Sequence, residues 1–476
     1  MAPTLQPKSG FAFVPMNGLG KPDRSIDRRK IRSHCMRGKN RRIGVPRPLA
    51  GHPASQSPCV VSSGNSDDDG LDDQDTILSR PTRITSRRKP SNLSLLKFAF
   101  DITNESKALL IDFMHFFSDA MYPAELFIDF DIAQNEWVHW LFKDPAYLQC
   151  IFFMAFSTRD LVHNRSITPK TYSHLRDTII RLNRQLSDAN TAVSLGNSTI
   201  AVVIMLAMFS CMIDDHAGAK AHISGLHQMV HLRGGLQSFT TSPKLYLKLG
   251  RADLVYALNT GANDLLCTYP VANLPLISNI DLPYPSYNST IIANLSKSLT
   301  FEYHIVTIFG EVQHYTSIVN NGHMTRHRRS IHEFHTVICS FEYRLLQLQG
   351  ALVDTASECL RLTMLAFLIT TFQFPGVRAR YPYLADRLRE ACCALRTLTE
   401  QKLDIRGLVR WILIVGAISV LDVDTERERW MGEWWRAAVD DTEWNETRAQ
   451  LKQMMWIDVL QDKIGRAAFE QLNSRR

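Results

Sequence analysis

The sequence predicts an all-α protein: a large helical body over residues 93–476, preceded by an N-terminal arm, residues 1–92, that stays disordered. Two observations carry the fold class. From about Leu93 onward apolar residues recur with the 3.6-residue period of a helix that buries one face. Strand signals are scarce: the Asn-Gly pairs Asn17-Gly18 and Asn321-Gly322 lack alternating apolar runs on both sides.

The arm comes first. Residues 44–70 are rich in Pro, Ser and Gly, an acidic patch follows from Asp67 to Asp75, and a basic run from Arg80 to Lys89 closes the segment. Such a composition buries too little apolar surface to offset the entropy of ordering. In 173–188, Leu175, Ile179, Leu182 and Leu186 form one stripe of an amphipathic helix. Asn197 or Ser198 is placed to cap the next helix, which is apolar on nearly all sides over 200–213 and belongs at the centre of a core. Residues 217–232 repeat the stripe with Ala219, Ile223, Leu226 and Val230, and Gly234-Gly235 ends it. Helical patterning resumes over 331–348, 355–372, 383–398 and 403–421. The tail, 426–455, is aromatic, with Trp430 and Trp434 one turn apart.

Charge divides the chain in the same way. Of the net +7, the first fifty residues hold twelve Lys and Arg against Asp23 and Asp27, so the body is close to neutral. A basic arm on a near-neutral body points to a polyanion or to import receptors as its partner. The nine cysteines are scattered and odd in number, which reads as reduced, buried small side chains rather than a disulfide framework. No secretory h-region opens the sequence, and the apolar run 200–213 falls short of the roughly 20 residues of a bilayer span, so no membrane is expected.

Four stretches resemble the second type of fungal-specific transcription factor domain, a family found downstream of zinc binuclear clusters and also without them. They are Phe11–Val14 with Arg28–Arg37, then Arg181–Asp188, then His222–Leu236, and finally Leu408–Trp411 through Met454–Asp458. The third is the most specific. The resemblance implies a nuclear regulator of transcription, controlling a metabolic or secondary-metabolite pathway through contacts of its helical domain. One part of the family pattern is missing. A zinc binuclear cluster needs six closely spaced thiolates, and only Cys35 and Cys59 precede residue 150. Contact with DNA is therefore expected to be weak or indirect, through a homodimer or a DNA-binding partner protein.

The candidate functional residues follow from this reading. Arg28, Arg29, Lys30, Arg32, Arg41 and Arg42, and separately Arg87, Arg88 and Lys89, are candidates for nuclear localisation or phosphate contact. The tail tryptophans read mainly as core, and Trp435 is a candidate partner surface, since Trp434 and Trp435, adjacent on a helix, point in different directions. The motif Asp68-Asp69-Gly70-Leu71-Asp72 matches a magnesium signature but lies in a low-complexity loop. His227 and His231, one turn apart, lack a third ligand, and His323, His327, His332 and His335 read as a solvated helix start, with an anion site only as the lesser alternative. No metal, cofactor or catalytic residue is assigned, and G-x-S-x-G, Walker and H-E-x-x-H patterns are absent. An unidentified small-molecule effector remains a partner, and a helical adapter or sensor outside transcription is the alternative function.

Overall fold

A computed structural model describes residues 97–121, 136–163, 166–262, 266, 290–324, 330–372, 381–399, 405–438 and 443–474. Every regular element among them is helical. The arm, with its basic clusters and the Asp68–Asp72 motif, lies outside the described residues.

The first half contains α1 (Asn104–Met121), α2 (Glu136–Lys143), α3 (Pro145–Val162), α4 (Pro169–Leu186), the single turn α5 (Thr191–Ser194), α6 (Asn197–Met212) and α7 (His216–Leu232). Their starts are written in the sequence. Asp144 Oδ1 accepts from the amides of Ala146 (2.8 Å) and Tyr147 (3.0 Å), and Pro145 occupies the first helical position. Thr168 with Pro169 does the same for α4, and Asp215 caps α7 through the Gly218 amide. The expected cap of α6 is corrected: Gly196 precedes the helix, and Asn197 turns its side chain to tertiary work. Asn197 Nδ2 donates to Ser242 Oγ (2.9 Å), while its Oδ1 accepts from Arg233 Nη1 (2.6 Å).

The Gly234-Gly235 signal is confirmed in full. Both glycines are left-handed (φ 102° and 86°); the Gly234 amide donates to His231 O (3.0 Å) and the Gly235 amide to Val230 O (2.8 Å). These are the paired bonds of a Schellman stop, and a short 3₁₀ turn, Leu236–Phe239, leads on.

Next comes α8 (Pro243–Thr260), followed by α9 (Thr290–Leu295), α10 (Tyr303–Met324), α11 (Ile331–Gln347), α12 (Thr355–Ile369), α13 (Pro382–Thr399), α14 (Arg406–Ile418), α15 (Arg429–Ala438), α16 (Trp444–Met454) and α17 (Asp458–Ser474). Two apolar cores result. One is built from α1–α4, α6 and α7, with α6 buried along nearly its whole length as its apolar circumference demands. The other runs from α9 to α17 around α12 and α14, each almost wholly buried. Two apolar helical stretches, Thr191–Met212 and Thr355–Phe372, have the length and composition of a membrane span, and both are core helices, the second 89% buried.

One helix belongs to both cores. Leu245, Leu249 and Ala252 of α8 enter the first, and Leu254, Ala257 and Leu258 enter the second. Each of the leucines contributes about 1.5–3 kcal/mol when buried, so α8 is the seam on which both halves depend.

Candidate functional site

The polar residues of α8 gather at that seam. On one side Asp253, fully buried, ties three elements together. Its Oδ1 lies 3.1 Å from His227 Nε2 of α7, and its Oδ2 accepts from the Leu266 amide (2.7 Å) and the Tyr343 hydroxyl of α11 (3.3 Å). The same hydroxyl donates to Gly250 O (2.9 Å). Gly250 permits this approach, because a Cβ there would sit 3.3 Å from the tyrosine oxygen. The carboxylate is thus held by donors on every side, which makes it a strut rather than a reactive group.

On another side Lys244, Lys248 and Arg251 recur at i, i+4 and i+7, so they share a face. Facing them are His332 and His335 from the first turns of α11, whose positive helix end adds to the charge. Phe372, at the end of the 3₁₀ turn after α12, links the two sets. Arg251 Cζ stands 3.1 Å from its ring centre, and the His335 ring meets it edge-on at 4.8 Å. Lys248 Nζ rests 4.2 Å above the Trp137 ring of α2.

This face is rich in positive charge and poor in compensation. Arg251 Nε and both ring nitrogens of His332 are buried with no hydrogen-bond partner. An unsatisfied buried donor or acceptor costs about 1–3 kcal/mol. The acid within range is Glu342, buried a few turns along α11; burial pushes its carboxyl up to about 7, and Arg251 only partly opposes this. Burial and the Arg251 charge push Lys248 down to about 8. His335 falls well below the ordinary histidine value, through burial first and then through Arg251, Lys248 and His332. Burial and Lys244 lower His332 as well. Burial raises Tyr381, just ahead of α13, to about 12. The guanidinium and ammonium of α8 thus lie close enough to the two α11 imidazoles to act on them electrostatically.

Other residues singled out by sequence fall differently. The nine localisation candidates, Arg28 to Lys89, lie outside the described residues. Trp435 is corrected: it is fully buried rather than at a surface, its Nε1 donating to Asn473 Oδ1 (2.9 Å) and its ring meeting Phe469 edge-on at 5.9 Å. Adjacent tryptophans do point apart, but α15 is flanked by α14 and α17, so both directions are covered. Trp434, 5% exposed, packs on Trp430 at 6.1 Å. His227 is engaged by Asp253 and His231 is exposed. No cluster of three or more His, Cys, Asp or Glu able to hold a metal occurs among the described residues.

The histidine reading is corrected in part. His335 is 7% exposed, not a solvated residue at a helix start; His327 lies outside the described residues. The α8 cations were missed, although Lys244, Lys248 and Arg251 show helical spacing beside the apolar stripe Leu245, Leu249 and Ala252. None of the six described cysteines forms a disulfide, and five are buried.

No family model, no curated protein and no solved structure matches the chain.

Proposed function

We propose that this protein is a regulator of transcription that works in the nucleus through protein–protein contacts of its helical body. In this reading it lacks a zinc-cluster DNA-binding module of its own and acts in a metabolic or secondary-metabolite pathway. Its partners are the import machinery and a DNA-binding protein or a second copy of the chain.

The observation that carries the reading is the fate of the stretch most similar to the fungal transcription-factor domain. His222–Leu236 folds as a working unit: the buried half of α7, its Schellman stop and the start of the next turn, with His227 fastened to the seam helix. The stretch Arg181–Asp188 likewise ends α4, and Leu408–Asp458 takes in α14 to α16. The three resembling segments among the described residues are thus packing elements of one helical body, which suits a domain whose conformation is its output.

The test is localisation of the full chain fused to a fluorescent protein. Replacing Arg28, Arg29, Lys30, Arg32, Arg41 and Arg42 with alanine, together with Arg87, Arg88 and Lys89, is expected to abolish nuclear accumulation. Deleting the gene is expected to change transcripts of a metabolic pathway as a set. Unchanged localisation together with an unchanged transcript profile overturns the reading. The cation-rich seam supports one second reading, a small-molecule sensor outside transcription. In that case deleting residues 1–92 leaves function intact.

A further inference from the structure

We propose that the seam between α8 and α11 is the binding site for a small organic oxyanion, a phosphate or carboxylate group, held by Arg251, Lys248, His332 and His335. The proposal rests on the small-molecule effector expected from the sequence, which the sensor reading above shares. It is tested on the purified protein alone, so its failure leaves the nuclear question untouched.

The geometry makes the argument. Arg251 and His335 approach one face-and-edge aromatic wall, Phe372, from different helices, at 3.1 Å and 4.8 Å. Two of the groups carry buried nitrogens that nothing in the protein satisfies, Arg251 Nε and both nitrogens of His332. A folded chain that leaves donors orphaned beside three lysine and arginine side chains has the complement of a ligand built in. The Arg251, Lys248 and His332 side chains are half-buried, while Arg251 Nε and the His332 ring nitrogens are withdrawn from solvent and its screening. The surroundings favour a planar or tetrahedral oxyanion over chloride, because the guanidinium presents a fork of donors and the imidazoles one each.

The charged groups facing the site all push its pH dependence one way. Bound negative charge favours the protonated imidazoles of His332 and His335, so binding takes up protons. Glu342 loses its opposing charge as pH falls through about 7, and Lys248 loses its own as pH rises through about 8. Tyr381, raised to about 12, stays neutral throughout. Affinity therefore rises steadily from alkaline to mildly acidic pH.

The experiment titrates full-length protein with inorganic phosphate and with malonate at constant ionic strength, chloride being the control, and follows tryptophan fluorescence and calorimetric heat. Sulfate, which does not titrate in this range, supplies the pH series. Saturable binding of phosphate or malonate but not chloride is expected; the tighter of the two identifies a phosphorylated or a carboxylate ligand. Arg251→Met is expected to fold, to melt close to the wild type, and to bind more than about tenfold more weakly. His332→Gln is expected to flatten the sulfate pH series. Absence of saturable binding by either anion, or wild-type affinity in folded Arg251→Met protein, overturns the proposal.

Discussion

Asp253 of α8 and His227 of α7 meet at 3.1 Å, and this contact pins α7 to the helix shared by both cores. Because Asp253 also takes the Leu266 amide and the Tyr343 hydroxyl, one carboxylate coordinates three parts of the chain. Asp253→Ala is expected to lower stability by about 2–3 kcal/mol, since it orphans buried donors. His227→Ala, at a partly exposed side chain, is expected to cost about 1 kcal/mol. Urea unfolding of both variants checks the order, and an equal effect contradicts it.

Trp435 provides a direct test of its corrected placement. Its indole is fully buried and bonded to Asn473 Oδ1 at 2.9 Å. Trp435→Ala is expected to cost about 3–5 kcal/mol, the range for emptying a large core position. Trp435→Phe keeps most of the apolar area but leaves Asn473 short of a donor, for about 1 kcal/mol. A surface tryptophan would show neither loss in a thermal melt.

Gly465 lies within α17 against the tryptophan cluster. A Cβ there would fall 2.5 Å from Trp456 Cζ2 and 3.1 Å from Trp444 Cη2. Alanine is the better helix former by about 1 kcal/mol, yet Gly465→Ala is expected to destabilise by about 1–3 kcal/mol, because Trp456 is fixed. Its Nε1 donates to Asp462 Oδ1 (2.8 Å), itself held by Arg448. Denaturation midpoints decide whether propensity or overpacking wins.

The helices were legible because each carries its own local signal. Leu175, Ile179, Leu182 and Leu186 mark α4, and Gly234-Gly235 stops α7 by a backbone conformation other residues resist. The seam was not legible. Lys248 and His335 are far apart in sequence, and only the packing of α8 on α11 brings their charges together. Trp435 failed for a related reason. A helix wheel tells which way a side chain points, but not whether a second neighbour, here α17, waits there. Asn197 looked like a cap because its residue type suits one; the competing partners Ser242 and Arg233 arrive from later in the chain.

Glu342 turns the seam into a measurable pH effect. Its carboxyl is raised from 4.5 to about 7 in the fold, so the folded protein binds the extra proton between those values. Stability from this group is full below about 4.5 and declines as pH rises towards 7. Glu342→Gln removes that penalty. The variant is expected to exceed the wild type by about 1–3 kcal/mol at pH 8 and to match it near pH 4.5. His335 acts in the opposite sense, since its lowered value makes the fold lose stability as pH falls below about 6.5. Wild type and Glu342→Gln both retain His335, so comparing them cancels that contribution. Adding Arg251→Met sharpens the test. Arg251 is the charge that restrains the Glu342 shift, so its removal is expected to enlarge the Glu342→Gln gain at pH 8. A gain independent of Arg251 would mean that the two groups do not share one electrostatic environment.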